Sequence, residues 1–144
     1  MRIASILENQ KIEKRIAITP DIAKKYIDLG LEVSLSEKYG EHLGFKDDQY
    51  KELGVEISKK DAEALSKADI IVQLGLLSNE NLSFLKANQT LVGVFSPHIN
   101  KEKIENLSKR NINVFSLEML PRITRAQSMD ILSSQANLAG YKAV

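Results

Sequence analysis

The stretch Asp69-Ile70-Ile71-Val72-Gln73-Leu74 decides the fold. Its apolar residues run on without alternation. A strand with one wet face alternates apolar and polar side chains. A strand covered on both faces need not, and parallel sheets are covered on both faces. A second run of this kind is Thr90–Phe95, and a short helical pattern, Leu82–Lys86, stands between the two.

Toward the N-terminus the same alternation continues. Lys59–Ser66 reads as a helix, Val55-Glu56-Ile57 as a strand, and Lys46–Leu53 as a helix closed by Gly54. Glu32–Leu35 is a short strand. Thr19-Pro20 opens the helix before it, because Thr suits the N-cap and Pro the first helical position. Ile22, Ala23, Tyr26 and Ile27 form its buried stripe, and Gly30 ends it. Ile3–Leu7 is the first strand. Toward the C-terminus, Lys101–Arg110 reads as a helix and Ile112–Phe115 as the last strand. Strands that alternate with helices imply right-handed βαβ units. The expected fold class is α/β: a mostly parallel twisted sheet flanked by helices, in Rossmann-like or flavodoxin-like layers, ending in a long C-terminal helix.

Composition narrows the function. The 144 residues are 43% apolar, enough for one core, and the net charge is +1. No basic block or aromatic-basic interleaving is present, so nucleic acid is not an expected partner. There is no cysteine, hence no disulfide, thiolate metal site or thiol nucleophile. His42 and His98 are too few for a His-rich metal site. No long apolar run follows Met1-Arg2-Ile3-Ala4-Ser5-Ile6, and none reaches the length of a membrane span. A cytoplasmic protein is expected. No Gly-x-Gly-x-x-Gly occurs, and the spacing of Gly40 and Gly44 follows no strand-to-helix turn. The domain therefore lacks the phosphate cradle of a dinucleotide site.

The last stretch, Pro121 to Val144, is polar yet almost uncharged: between Arg125 and Lys142 the sole charge is Asp130. Read as a helix, it carries an apolar stripe of Met129, Leu132, Ala136, Ala139 and Ala143. A second stripe, Gln127, Asp130, Ser134, Asn137 and Tyr141, lies about 200° away by the helical period. A solvated face would carry Lys and Glu. A face of Gln, Asp, Ser and Asn meets a ligand or another polypeptide, or packs on a partner domain with its polar groups satisfying one another. The apolar stripe is expected to pack on this domain or an adjoining one. If left uncovered, it is expected to drive self-association or to leave the last turns frayed.

Other candidates stand at the carboxyl ends of strands, where α/β folds place ligands. Arg15, in the loop from Glu8 to Arg15, can grip a carboxylate or phosphate with two prongs, or lie in a solvated charged loop. His98, after Ser96-Pro97, is either an acid–base group or a surface histidine. Asp130 can bond an amide or pair with Arg122 or Arg125. No Ser/His/Asp constellation and no metal-ligand spacing is present.

Two motifs are familiar. Glu8…Lys14-Arg15-Ile16-Ala17-Ile18-Thr19-Pro20 resembles the N-terminal signature of the alanine dehydrogenase/pyridine nucleotide transhydrogenase family, a Glu, a variable loop, then Arg-Val-Ala-x-Thr-Pro. The run Pro121-Arg122-Ile123-Thr124-Arg125-Ala126-Gln127-Ser128-Met129-Asp130-Ile131-Leu132-Ser133-Ser134, with Asn137 and Gly140-Tyr141-Lys142-Ala143, resembles the transhydrogenase branch. The similarity covers essentially the whole chain.

The resemblance implies the NAD(H)-binding component of a proton-translocating transhydrogenase of the Re/Si-specific type. Residues 1–125 would be its N-terminal α/β domain. Residues 126–144 would be a terminal helix leading toward an NAD-binding Rossmann domain that this sequence does not contain. Hydride would pass from NADH to NADP+, with NADP(H) on a partner component and the pair docked on a membrane channel subunit. The component would be a homodimer, peripheral to the inner membrane through its partners. Carried over by motif, Arg122, Gln127 and Asp130 would hold the nicotinamide carboxamide and ribose, and Ser133 would support them. The isolated chain would be inactive and bind NAD(H) weakly or not at all.

The alanine dehydrogenase branch uses a substrate lysine in the strand matching Asp69–Leu74. This chain offers Gly75 there, with Gln73 two before it, and His98 matches that branch's histidine only approximately. Arg15 belongs to both branches. An alanine dehydrogenase-like fragment ranks below the transhydrogenase reading. A third alternative is a non-catalytic docking remnant of a split subunit.

Overall fold

Strands and helices alternate along the chain in the computed structural model, which describes residues 1–143. The order is β1 (Arg2–Ser5), α1 (Pro20–Asp28), β2 (Glu32–Ser36), α2 (Asp47–Glu52), β3 (Glu56–Ser58), α3 (Asp61–Lys67), β4 (Ile70–Gln73), α4 (Asn79–Ser83), β5 (Thr90–Gly93), α5 (Lys101–Lys109), β6 (Asn113–Ser116) and α6 (Ile131–Ala143). The strands form one sheet in the order β3-β2-β1-β4-β5-β6, and every neighbouring pair is parallel. This is the strand order of doubly wound Rossmann-type sheets, whose build-up reverses direction between β1 and β4.

Alternation along each strand sends side chains to two separate cores. In β1, Ile3 joins Val33, Leu35, Tyr39, Tyr50 and Val55 on the side of α1 and α2. Its neighbour Ala4 joins Ile71, Leu91, Leu65, Phe95 and Leu107 on the other side. In β4, Ile71 faces the second core while Ile70 and Val72 pack against the first. That two-sided cover is why the run from Ile70 to Val72 shows no polar alternation.

The helix stops follow from backbone geometry. Gly30 and Gly54 stand just past α1 and α2 with φ of +80° and +90°, a left-handed turn that costs a Cβ-bearing residue more than it costs glycine. Thr19 occupies the N-cap position of α1 in extended conformation, but its side chain makes no capping bond, unlike the expectation. α4 also differs from the expected Leu82–Lys86. It runs Asn79–Ser83 because the Ser78 hydroxyl accepts the Asn81 N–H at 3.2 Å and starts the helix earlier.

The largest difference lies at the C-terminus. A continuous helix through Gln127 and Met129 is expected, but Thr124–Met129 winds as 3-10 turns and α6 begins at Ile131. Asp130 breaks the path, with ψ of 94°. The two stripes therefore do not form one helical surface: Gln127 and Met129 stand ahead of α6. No α6 side chain is buried, and Leu132, Leu138 and Tyr141 are 48%, 63% and 87% exposed. Of the two expected partners for the apolar stripe, this domain or an adjoining one, this domain leaves the α6 side chains unburied. Val144, the last residue of the expected helix, lies outside the described residues. Among the described residues no helix is long and apolar enough to cross a membrane.

A buried polar chain braces the carboxyl end of β1. The Tyr39 hydroxyl accepts N–H groups from Ala17 and Ile18 at 3.0 and 3.1 Å and lies 2.8 Å from the Ser5 hydroxyl. Ser5 in turn donates to Gln73 at 3.0 Å. Burial pushes the Tyr39 phenol above its ordinary pKa, so it stays a neutral hydroxyl that can serve all these partners.

Candidate functional site

Doubly wound sheets receive ligands in the crevice where the strand order reverses, between the carboxyl ends of β1 and β4. In this chain that crevice is filled by its own side chains. The Gln73 side-chain oxygen Oε1 accepts from the Ile6 N–H at 3.2 Å, and its side-chain nitrogen donates to the Ile6 carbonyl at 2.9 Å. The Glu8 carboxylate accepts the N–H groups of Leu74 and Gly75 at 2.6 and 3.3 Å. Burial raises the Glu8 pKa, and the two N–H groups oppose that rise by favouring the carboxylate. The Glu8–Arg15 loop thus turns its first carboxylate inward onto the sheet.

The four residues that the transhydrogenase resemblance singles out lie elsewhere, beyond the end of β6. Arg122, Gln127, Asp130 and Ser133 all line one cavity of about 300 Å³. Leu117, Leu120, Ile123, Ala126 and Leu132 supply its apolar walls. A second, shallower hollow of about 460 Å³ shares Gln127, Asp130 and Ser133. The 3-10 turn over Thr124–Met129 makes this possible. Its one buried side chain, Ala126, pins the loop to the body, while Gln127 is free to face the cavity.

Asp130 does not pair with Arg122 or Arg125 among the described residues. It is the N-cap of α6. Oδ1 accepts the N–H groups of Leu132 and Ser133 at 3.0 and 3.1 Å, and Oδ2 accepts the Ser133 hydroxyl at 2.7 Å. The bond from the Ser133 hydroxyl, then its N–H, hold the carboxyl below its ordinary pKa, with a smaller contribution from the Arg122 charge. A carboxylate offers about four acceptor directions. Three are used, so Asp130 keeps one for a ligand.

Sequence reasoning missed Glu118, which also lines the cavity. Its carboxylate accepts the Ser96 N–H and the Ser116 hydroxyl, and so ties the end of β5 to the cavity floor. Ser96 sits at φ +47°, a left-handed turn that this bond helps to hold. The lone acidic residue after an apolar strand was the available signal, but nothing in the spacing shows that its partner lies at Ser96. Arg15 forms a two-pronged pair, as its chemistry allows, though with Glu13 of its own loop. His98 is exposed in a turn.

The donor set suits the nicotinamide end of a dinucleotide. A carboxamide needs both a donor and an acceptor, which Gln127 provides. Ribose hydroxyls suit a carboxylate with a free acceptor direction, and a flat ring suits walls of Leu and Ile. Nothing in the cavity resembles a phosphate cradle. Of the glycines with positive φ, Gly30 and Gly54 follow helices and Gly44 follows the 3-10 turn Glu41–Leu43, so none opens a strand-to-helix turn.

Comparisons with known proteins identify the family. The family described as alanine dehydrogenase/PNT, N-terminal domain, matches residues 6–139. The first part of the NAD(P) transhydrogenase alpha subunit of Rickettsia prowazekii is 41% identical over the whole of this chain and 39% of its own length. A crystal structure of transhydrogenase from Sinorhizobium meliloti superposes with a TM-score of 0.89 and 34% identity, over 98% of this chain and 42% of that one. Alanine dehydrogenase 1 of Staphylococcus aureus is more distant, at 25% identity over 99% of this chain and 37% of its own length. The chain therefore spans about two fifths of the length of the transhydrogenases it matches. With that match over nearly its full length, the chain belongs to the alanine dehydrogenase/PNT family as its N-terminal domain.

Proposed function

We propose that this chain forms one wall of the nicotinamide cleft in the NAD(H)-binding component of a proton-translocating transhydrogenase. One observation carries the reading: Arg122, Gln127, Asp130 and Ser133 converge on a single apolar-walled cavity, while the crevice between β1 and β4 is filled from within. The similarity to transhydrogenase alpha subunits supports the same assignment.

In this reading Gln127 orients the carboxamide, and Asp130 accepts a ribose hydroxyl through its remaining acceptor direction. Arg122 offers a planar donor fork beside them, and Ser133 keeps the Asp130 carboxylate turned toward the cavity. Bound NADH would supply the hydride to NADP+ on a partner component. No acid–base residue is needed for such a transfer, so orientation and exclusion of water are the protein's share. Residues 1–125 act as the cleft-forming domain, and the segment from 126 leads toward a Rossmann domain that carries the pyrophosphate and adenosine contacts. The working unit is a homodimer held at the inner membrane by its channel partner, and the chemistry is of the Re/Si-specific type.

Joining this chain to such a Rossmann domain, with the NADP(H)-binding component present, should restore reduction of an NAD analogue by NADPH. A folded, assembled mixture without activity refutes the assignment. The isolated chain should be inactive and bind NADH more weakly than micromolar, because the phosphate contacts are not among its residues. Calorimetry that finds micromolar NADH binding to the chain alone contradicts that expectation.

A further inference from the structure

We propose that Arg15 is a positioning residue: held by Glu13, it latches α6 to the body and thereby sets Asp130 and Ser133 at the cavity. The proposal rests on the cavity's assignment to the nicotinamide.

All three nitrogens of the Arg15 guanidinium donate a hydrogen bond. Nε and Nη2 donate to the two oxygens of Glu13 at 2.8 and 2.6 Å, a two-pronged pair. Nη1 donates to the Gln135 side-chain oxygen at 2.7 Å, across 120 positions of sequence. Among the described residues, this is the one hydrogen bond that joins α6 to any part of the chain before Asp130. Packing is confined to the first turn: no α6 side chain is buried, Ile131 is partly covered, and Leu132, at the cavity wall, is 48% exposed. Without the latch, the helix would be held mainly through its own covalent lead-in.

The base of the latch is rigid. The Asn9 carbonyl accepts N–H groups from Ile12 and Glu13 at 2.8 and 2.9 Å, and Glu13 also accepts the Arg15 backbone N–H at 2.9 Å. Just beyond Arg15, Ile16 and Ile18 are buried, and the Tyr39 hydroxyl holds the N–H groups of Ala17 and Ile18. The arm therefore reaches from a fixed point to a helix that has few other restraints. Gln135 stands in the second turn of α6, two residues after Ser133 and five after Asp130, so losing its bond frees the first turns of the helix, and with them Ser133 and the Asp130 cap that Ser133 holds. A planar, two-pronged fork is well matched to such a latch, because Glu13 fixes its plane and the plane fixes the direction of the third donor.

The test uses the chain itself. It has no cysteine, so Lys109→Cys and Ala139→Cys, both at exposed positions, accept spin labels at unique sites. Double electron–electron resonance should give a narrow distance distribution for the parent. Arg15→Met and Gln135→Leu should each broaden it, and the double variant should be no broader than either, because both cut the same bond. Gln135→Glu keeps an acceptor for Arg15 and should restore the narrow distribution. Gln135 lies on an exposed helix, so its variants fold even where Arg15→Met loses stability. A parent as broad as the variants, or variants as narrow as the parent, overturns the latch. In the assembled transhydrogenase, Arg15→Met should lower kcat on the order of tenfold with KM for NADH little changed. Broadened α6 with unchanged kcat overturns the positioning role. The cavity assignment itself fails separately, by an unaltered rate in Gln127→Ala.

Discussion

Gln127→Ala in an assembled transhydrogenase is expected to slow hydride transfer by about one to two orders of magnitude, while NADH affinity falls much less. The reason is a division of labour. Most binding energy for a dinucleotide comes from its phosphates and adenosine, which this cavity does not contact in the proposed reading. What Gln127 contributes is the angle of a ring whose reacting carbon must meet its acceptor, and such interactions act on rate more than on binding. Single-turnover transfer alongside equilibrium binding separates the two quantities. Asp130 requires more care, because it caps α6 as well as lining the cavity. Asp130→Asn keeps a capping oxygen and removes the charge. Asp130→Ala removes both. A larger rate loss in Asp130→Ala than in Asp130→Asn would measure how far helix order contributes to the cleft. If Gln127→Ala transfers hydride at the parental rate, the polar lining is only an interdomain surface.

Gly93→Ala is expected to be the most damaging glycine-to-alanine change in this fold. Gly93 ends β5 opposite Gln73 of β4. A Cβ there would collide with the Gln73 carbonyl oxygen and would stand 2.6 Å from two carbons of the Phe95 ring. Neither neighbour can retreat. The Gln73 carbonyl in question is on the backbone of β4, which lies between β1 and β5 in the sheet, and Phe95 is 1% exposed in the core. Overpacking of this kind costs about 3 kcal/mol or more, since both backbone and side chains must shift. Urea titration should show a midpoint far below the parent's, or no folded baseline. A cost under about 1 kcal/mol would mean that β4 and β5 separate more easily than their packing indicates.

The sheet was readable because its cause is local. Ile70, Ile71 and Val72 need cover on both faces, and that alone points to a parallel strand between helical layers. Gly30 and Gly54 marked helix ends for a backbone reason that acts within one turn. The errors arose where a residue had two possible roles. Asp130 read as a member of a helical stripe, yet a short acidic side chain is also a good cap, and tertiary placement of Ala126 selected the cap. Ser78 was the same case at α4. Helical spacing put Gln127 and Asp130 on one polar stripe, whereas Arg122 and Ser133 came from motif resemblance alone, since Gln127 and Ser133 lie on opposite sides of a break in the helix. Contacts that join distant positions, Glu118 with Ser96 and Arg15 with Gln135, leave no trace in spacing at all.

The strand order also sets which half of the sheet can be completed first as the chain is made. β1 is made first yet sits inside the sheet, where Ile3 pairs with Val33 on one side and with Ile70 on the other. A growing chain that has emerged as far as Ser58 can complete β3-β2-β1 and bury Val33, Leu35, Tyr39, Tyr50 and Val55 together. Until β4 arrives, the second edge of β1 remains an open template, with Ala4 and Ile6 waiting for a core that belongs to later residues. Non-local parallel pairing of this sort is slow, because long loops must close before any contact rewards them. The vulnerable period of this molecule is therefore the interval between its two half-cores. The chemistry that seals Gln73 and Glu8 across the β1–β4 seam is also what ends it.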